Sequence, residues 1–383
     1  MSTTALSPPA ATPVTERSLA PDLARGVMLL LIAVAHAHMY LSYDHPGLRG
    51  YATDGGPLDR LVAGIQILLV DARALPMFAA LFGYGLVQLT ARRPDPLDAK
   101  RIVRRRGRWL LAFGFCHALL LFFGDILAAY GLIAIVFAGM LRRSDRALLR
   151  AAAITVPLHA LVLALLGFAT VAGGHVDSPT VIADPLEAVG IRLGTWSGLT
   201  LTFYLVSALP TFFLGVWAAR RRLLDEPAAH LRLLRRTAVA GIAIGFAGGI
   251  PLALADTRLW EAGDGASIGS YALHSVTGLA AGIGYAALIG LFAARRRSPG
   301  RIVKALAACG QRSLTSYVLQ SVLFTVIFTP FVLGLGDDVG DAAASAIGIA
   351  VWLSTVVVSV LLARAGSRGP LEILLRRLTY GRR

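Results

Sequence analysis

The sequence predicts an all-α integral membrane protein, a polytopic bundle of about ten transmembrane helices with both termini on the cytoplasmic side. Three observations carry that reading. Of the 383 residues, 56% are hydrophobic and 15% charged, with a mean hydropathy of +0.67, whereas about a quarter of a soluble domain is charged. The apolar residues are gathered in runs close to the roughly 20 that a spanning helix needs, and only helices or closed barrels satisfy their backbone polar groups in hydrocarbon. The cations fall in alternate connections, as the positive-inside rule requires.

In chain order, residues 1–20, rich in Pro, Ala and Thr, read as a disordered cytoplasmic tail. Residues 21–150 form an N-terminal membrane region of about four spans, at 23–42, 61–89, 109–123 and 126–141. The triplet Ala35-His36-Ala37 mimics a signal-peptidase site, but the apolar run continues past it, so it belongs to a span. The second run contains Asp71, Arg73 and Pro76 and is expected to be a broken helix, since charges are costly at mid-bilayer and proline removes a helix hydrogen bond. Residues 151–365 form a C-terminal region of about six spans, beginning with the run at 148–172 and continuing at 198–219, 238–255, 271–294, 314–333 and 342–363. The stretches 173–197 and 256–269 are expected as long outer loops. Residues 366–383 form a basic tail in which 369–380 alternates apolar and basic positions at helical spacing, as a helix lying on the membrane surface does.

A net charge of +15 would suggest a nucleic-acid partner in a soluble protein. Here all lysines and arginines except Arg49, Arg60, Arg73, Arg192 and Arg258 fall in cytoplasmic connections, separate clusters and not one groove. The expected partners are therefore membrane lipids, with no nucleic acid, and the location is the inner (cytoplasmic) membrane of the cell; the sequence leaves a homodimer open. Cys116 and Cys309 lack metal-ligand spacing, so no metal is expected, and both read as packing residues or silent thiols.

Ionisable groups inside spans are the place to look for chemistry. Arg25 and His36 are eleven residues apart, which at about 100° per residue is three turns plus about 20°, so they share one helix face, with Asp22 about 40° from His36 on the same stripe. The guanidinium then sits at the inner headgroups and the imidazole roughly 16 Å deeper. His117 and Asp125 flank a tight Gly-Asp turn, with Tyr130 beyond; Asp125 reads first as a helix cap and second as a wall of a polar site. His159 and His274 read as packing residues, Gln320 as interhelical glue, and Gly83 and Gly85 as points of close helix approach.

The Arg25-(ten residues)-His36 pattern in a first span resembles the signature of the acyltransferase-3 membrane acyltransferases. That resemblance implies transfer from an acyl donor, with the histidine essential. The residue types suit it: a guanidinium for coenzyme A phosphates and an imidazole to deprotonate an acceptor hydroxyl or amine. Asp22-Leu23-Ala24-Arg25-Gly26, Leu81-Phe82-Gly83-Tyr84-Gly85, and His117 followed by Gly124-Asp125-Ile126-Leu127 and Tyr130 resemble the bacterial YeiB-like family. Gly310 with Ser313-Leu314-Thr315-Ser316-Tyr317 and Gln320-Ser321, and Gly369-Pro370-Leu371-Glu372 with Arg376-Arg377-Leu378-Thr379-Tyr380, resemble its C-terminal DUF418 domain. The family implies a membrane protein with a transport role and a fold like the heparan-glucosaminide acetyltransferases, which would make loop His45 a competing base. The chain departs from the family at His36, where asparagine is usual.

The expectation is thus a transmembrane acyltransferase taking an acyl group from a cytoplasmic donor, with acyl-CoA as co-substrate and no tightly bound cofactor, to a small-molecule, lipid or glycan acceptor at the outer face. Arg25, Arg105 and Arg108 would hold the donor, His36 would be the base, and His117 and Asp125 would complete the catalytic group. The alternative is a transporter or exporter of a small or lipid-like molecule through the same polar residues.

Overall fold

A computed structural model describes residues 18–43, 46–91, 93–173, 178–296 and 298–381. The predicted tail 1–20 falls largely outside these residues, as does His45. Among the described residues the secondary structure is helical, apart from an isolated bridge between Pro46 and Ala52. Seven helical runs are long and apolar enough to cross a membrane, at Leu19–Tyr40, Pro57–Thr90, Asp145–Gly173, Pro185–Arg220, Pro227–Asp256, Asp264–Ala294 and Asp341–Arg364. The chain is accordingly a multi-pass helical membrane protein. Shorter apolar helices lie at Leu127–Arg142 and Ser313–Phe328.

The first run is α1 (Leu19–Ala37), closed by a single tighter turn at His38–Tyr40. The second is broken as expected: α2 (Pro57–Leu69) and α3 (Ala74–Thr90) are separated by a turn in which Ala72 has a φ of 56°. Then come α4 (Pro96–Leu120), whose first half carries the arginine block, α5 (Leu127–Phe137) and α6 (Asp145–Gly173). Residue 150, the expected edge of the N-terminal region, therefore lies inside α6. The expected outer loop 173–197 is largely helical instead: α7 (Pro185–Leu199), capped by Asp184, runs through a π-helical stretch at Thr200–Tyr204 into α8 (Leu205–Arg220). Glycines at 190, 194 and 198 mask this helix in the sequence, yet nothing stands within 4 Å of where their side chains would be. The chain continues through α9 (Leu231–Asp256), α10 (Asp264–Ala294), α11 (Arg301–Gln311), α12 (Ser313–Phe328), α13 (Asp341–Arg364) and α14 (Pro370–Tyr380). The expected loop 256–269 is shorter than predicted because α10 begins at Asp264.

Hydrogen bonds sort the connections into two ends. At the basic end Arg142 donates to the carbonyls of Arg93 and Pro94, Arg220 to that of Leu141, and Tyr84 to Asp225. Here α14 docks against the bundle. Its Glu372 accepts from the Leu314 and Thr315 amides at 2.8 and 3.0 Å and from the Thr315 hydroxyl, capping α12. At the opposite end Asp256 accepts from the amides of Leu48 and Arg49, Asp341 from that of Ala52, and Asp59 from that of Ala342.

The core is held by close helix approach. Where α1 crosses α11, a Cβ at Gly26 would collide with the Leu306 carbonyl and one at Gly310 with that of Asp22. Backbone contact of this kind substitutes for a hydrophobic driving force, which lipid does not supply.

Candidate functional site

The inner half of α1 carries Arg25, ion-paired with Asp22 at 2.9 Å. Gly85 faces its guanidinium, and a Cβ there would stand 3.2 Å from a terminal nitrogen, whereas Gly83 packs on α8 at Phe212. Arg106 of α4 lies within electrostatic reach of Arg25, Tyr380 and Glu372. The arginines expected to join Arg25, namely Arg105 and Arg108, are both exposed on α4; the helical phase turns Arg106 inward instead. Sequence spacing cannot show which arginine of that block faces the bundle.

Three turns on, His36 is half-buried. Its ring packs on Phe122, centroids 4.7 Å apart, and meets Tyr317 edge-on at 6.2 Å. It makes no hydrogen bond to any described residue, so both ring nitrogens are unengaged. On the other side of Tyr317, at 5.1 Å, lies the ring of His117 from α4. Asp125 approaches His117 Nδ1 to 3.1 Å, though out of line for a good hydrogen bond, and its other oxygen accepts from the Ala128 amide at 2.9 Å. Asp125 thus caps the start of α5, the first of the two roles expected of it. Gly114 makes this possible, since a Cβ there would fall against Asp125 and the Ala128 amide.

His117 Nε2 meets the Ser321 hydroxyl of α12 at 2.8 Å. The Ser321 hydroxyl also reaches the Tyr317 carbonyl at 3.5 Å. His117, Asp125 and Ser321 are 4%, 0% and 1% exposed, so only His36 of this group is accessible. The structure therefore brings His36, His117 and Asp125 together around Tyr317 and adds Ser321. Tyr130 stands apart, donating to the Leu75 carbonyl between Phe78 and Phe82. Gln320 donates to the Leu29 carbonyl, as interhelical glue does. His159 bonds Ser207 and the Ser275 carbonyl, as a packing residue.

A second polar cluster occupies the break between α2 and α3. Arg73, fully buried, donates to the carbonyls of Asp71 and Gly245 and contacts His274 Nδ1 at 3.1 Å. His274 is thus more than the packing residue expected, its partner lying 201 positions away. Asp71 accepts from Tyr51 at 2.8 Å and faces Arg49 Nε at 3.5 Å. Burial alone would weaken the charge on Arg49, but Asp71, with Tyr271 and Tyr51, outweighs it and raises the pKa above its ordinary value.

Two cavities bear on function. One of about 530 Å³ is an apolar groove between α6, α8, α9 and α10, with Pro210 and Ile244 in its wall. The other, about 700 Å³, lies at the opposite end from the arginine block and is lined by His38, Arg49, Phe123 and Tyr271 among others. His36 does not line it; Phe122, packed on His36, packs in turn on Phe123, which is in the cavity wall.

Among the described residues no group of three or more His, Cys, Asp or Glu could hold a metal. Cys116 is exposed and Cys309 buried, and both are free.

Residues 218–382 match the family model described as "Protein of unknown function (DUF418)", a narrower stretch than 151–365 that runs into the basic tail. Over 400 aligned residues, covering 94% of this chain and 93% of the relative, the chain is 28% identical to "Uncharacterized protein YxaH" of Bacillus subtilis (strain 168). It is 28% identical over 387 residues, 95% of this chain and 96% of the relative, to "Uncharacterized protein YeiB" of Escherichia coli (strain K12). A DUF418 match over the C-terminal region and similarity over nearly the full length of both relatives support a YeiB-like, DUF418-type protein.

Proposed function

We propose that the protein is a transmembrane acyltransferase of the cytoplasmic membrane. It spans the bilayer about ten times with both termini inside, and transfers an acyl group from cytoplasmic acyl-CoA to an acceptor in or beyond the outer leaflet. The count adds the helices α4, α5 and α12 to the seven long runs. The observation that carries the reading is His36: a half-buried imidazole with no hydrogen bond to a described residue, on the face of α1 that also bears Arg25.

In this reaction Arg25, with Arg106 in place of Arg105 and Arg108, draws the donor's phosphates to the basic end. His36 takes the proton of the acceptor hydroxyl or amine as that group attacks the thioester carbonyl, and as the C–S bond breaks the imidazolium returns that proton to the departing thiolate, which leaves as the free thiol. His117 and Asp125 are positioning residues: they are sealed from substrate and hold Tyr317, against which His36 rests. The chemistry is tested with labelled acetyl-CoA and longer acyl-CoAs supplied to the purified protein. His36→Ala is expected to lower transfer by about 100-fold or more, the scale of a general base, with the thermal melting profile kept. Transfer at the wild-type rate by a folded His36→Ala variant refutes the assignment.

A specific observation favours a transport reading as the second choice. Discontinuous helices with buried charges at the break recur where transporters bind substrate, and Asp71 with Arg73 forms such a break. Under that reading Asp71 variants abolish flux in proteoliposomes while no acyl transfer is found in any variant.

A further inference from the structure

We infer that the apolar groove between α6, α8, α9 and α10 binds one acyl chain of an anionic phospholipid from the leaflet at the basic end, with the phosphate on arginines near the starts of α6 and α9. The site is independent of acyl transfer and shares no residue with the group around His36.

The groove is a hollow in the face that these helices turn to the membrane. Its floor is buried at Ala152, Thr211 and Leu279, whereas Leu149 and Ile244 on its rim are 42% and 49% exposed. Ala153, Ala240 and Ala280 leave the space that larger side chains would fill. On α6, α9 and α10 the lining runs over 149–156, 237–244 and 276–283, about 10 Å of each helix, which fits within the roughly 15 Å of hydrocarbon in one leaflet. One turn beyond Val156 the hollow is closed. There His159, itself buried, bonds the Ser207 hydroxyl of α8 and the Ser275 carbonyl of α10, and a Cβ at Gly248 of α9 would collide with Thr277 of α10. An occupant is therefore anchored from the basic end.

The helix period sets charge in line with the lining at that end. Arg146 stands one turn before Leu149, Arg150 one turn before Ala153 and Arg236 one turn before Ala240. Side chains on a helix lean toward its N-terminus, which for α6 and α9 is the basic end, so these guanidiniums reach toward the headgroup layer. All three are exposed and make no ion pair or hydrogen bond to a described residue. The acids of the neighbouring connections are engaged elsewhere, Asp145 with Arg220 and Arg221, Asp225 with Tyr84, and Glu226 with Arg222. Thr237, in the wall near the mouth, also bonds no described residue, unlike Thr155 and Thr257, whose hydroxyls donate to their own helices. Its hydroxyl is free for a lipid ester carbonyl. An uncharged apolar helix fills the hollow but leaves three cations unmatched, whereas a phospholipid chain brings its phosphate with it.

The test uses the full chain in nanodiscs of equal phosphatidylglycerol and phosphatidylcholine with matched chains, and retained lipid is read by native mass spectrometry. Phosphatidylglycerol is expected to be retained in preference. Arg146→Gln with Arg236→Gln should lower that preference by roughly 10- to 30-fold, the worth of two arginines close to anionic lipid. Arg301→Gln with Lys304→Gln, the same loss of charge at exposed positions of α11, should change it far less. Ala153→Trp and Ala240→Trp, each filling the groove from an exposed wall position, should lose the tightly held lipid whatever its head. Equal effects of the two charge pairs overturn the proposal, as does wild-type retention in both tryptophan variants. A wild-type dimer that both tryptophan variants abolish, without any preference for phosphatidylglycerol, overturns it as well, because the groove would then seat a second copy of the chain.

Discussion

Among single residues, Asp71 has the most exacting environment. At 1% exposure it faces Arg49, accepts from Tyr51 and offers its backbone carbonyl to Arg73. A carboxylate desolvated to this degree is tolerable only with its cations in place, and removing one partner of a buried pair leaves an uncompensated charge. Asp71→Asn should therefore destabilise the protein by about 3–5 kcal/mol, read as a lower melting temperature in detergent. The double variant Asp71→Asn with Arg49→Gln should recover part of that loss, since the stranded cation is gone as well. Purely additive losses would mean that the two groups are not coupled. The fully buried residues around His36 present a different case. His117 is hydrogen-bonded to Ser321 and lies against Asp125 within the bundle, so their loss is felt first as disorder around Tyr317, and only through it at His36.

At the scale of elements, helices here meet backbone to backbone. A methyl at Gly26 would be driven into the Leu306 carbonyl across the α1–α11 crossing, while nothing lies within 4 Å of a Cβ at Gly139. Gly26→Ala should cost about 1–3 kcal/mol, the range for overpacking a tight contact, and Gly139→Ala should melt with the wild type. Equal melting of the two variants would mean that the crossing is looser than described. The helices themselves were legible in the sequence, because run length and the cost of exposed backbone in lipid leave few alternatives. The break after α2 was legible for the same reason, since Asp71, Arg73 and Pro76 cannot sit in an unbroken span. The convergence of His36, His117 and Asp125 was legible in part, from spacing on α1 and from the Gly-Asp turn. Ser321 was not, because a serine in a span ordinarily reads as glue and its partner His117 is 204 positions away. The stitching of residues 46–60 by Asp256 and Asp341 was equally hidden, as was the inward turn of Arg106, since each depends on which helices become neighbours. α7 was missed because its glycines and single arginine dilute the apolar pattern.

For the whole molecule, the decisive property is the segregation of charge between its two ends. The arginine-rich connections are bonded to one another at one end, Arg142 to the carbonyls at 93 and 94, and Arg220 to Asp145 and Leu141. At the other end the ties run through Asp59, Asp256 and Asp341. Cations near the bilayer are retained on the cytoplasmic side during insertion, so the basic end should be the inner one. Two cysteine variants in a Cys116→Ser background decide this: Ala183→Cys, in the connection leading to α7, and Leu97→Cys, at the start of α4. Both positions are exposed and lie at opposite ends, and Cys309 is buried and should stay silent. A membrane-impermeant maleimide added to intact cells should label Ala183→Cys at once and Leu97→Cys only after permeabilisation. The converse pattern would place the arginine block outside, and no cytoplasmic acyl-CoA could then reach Arg25.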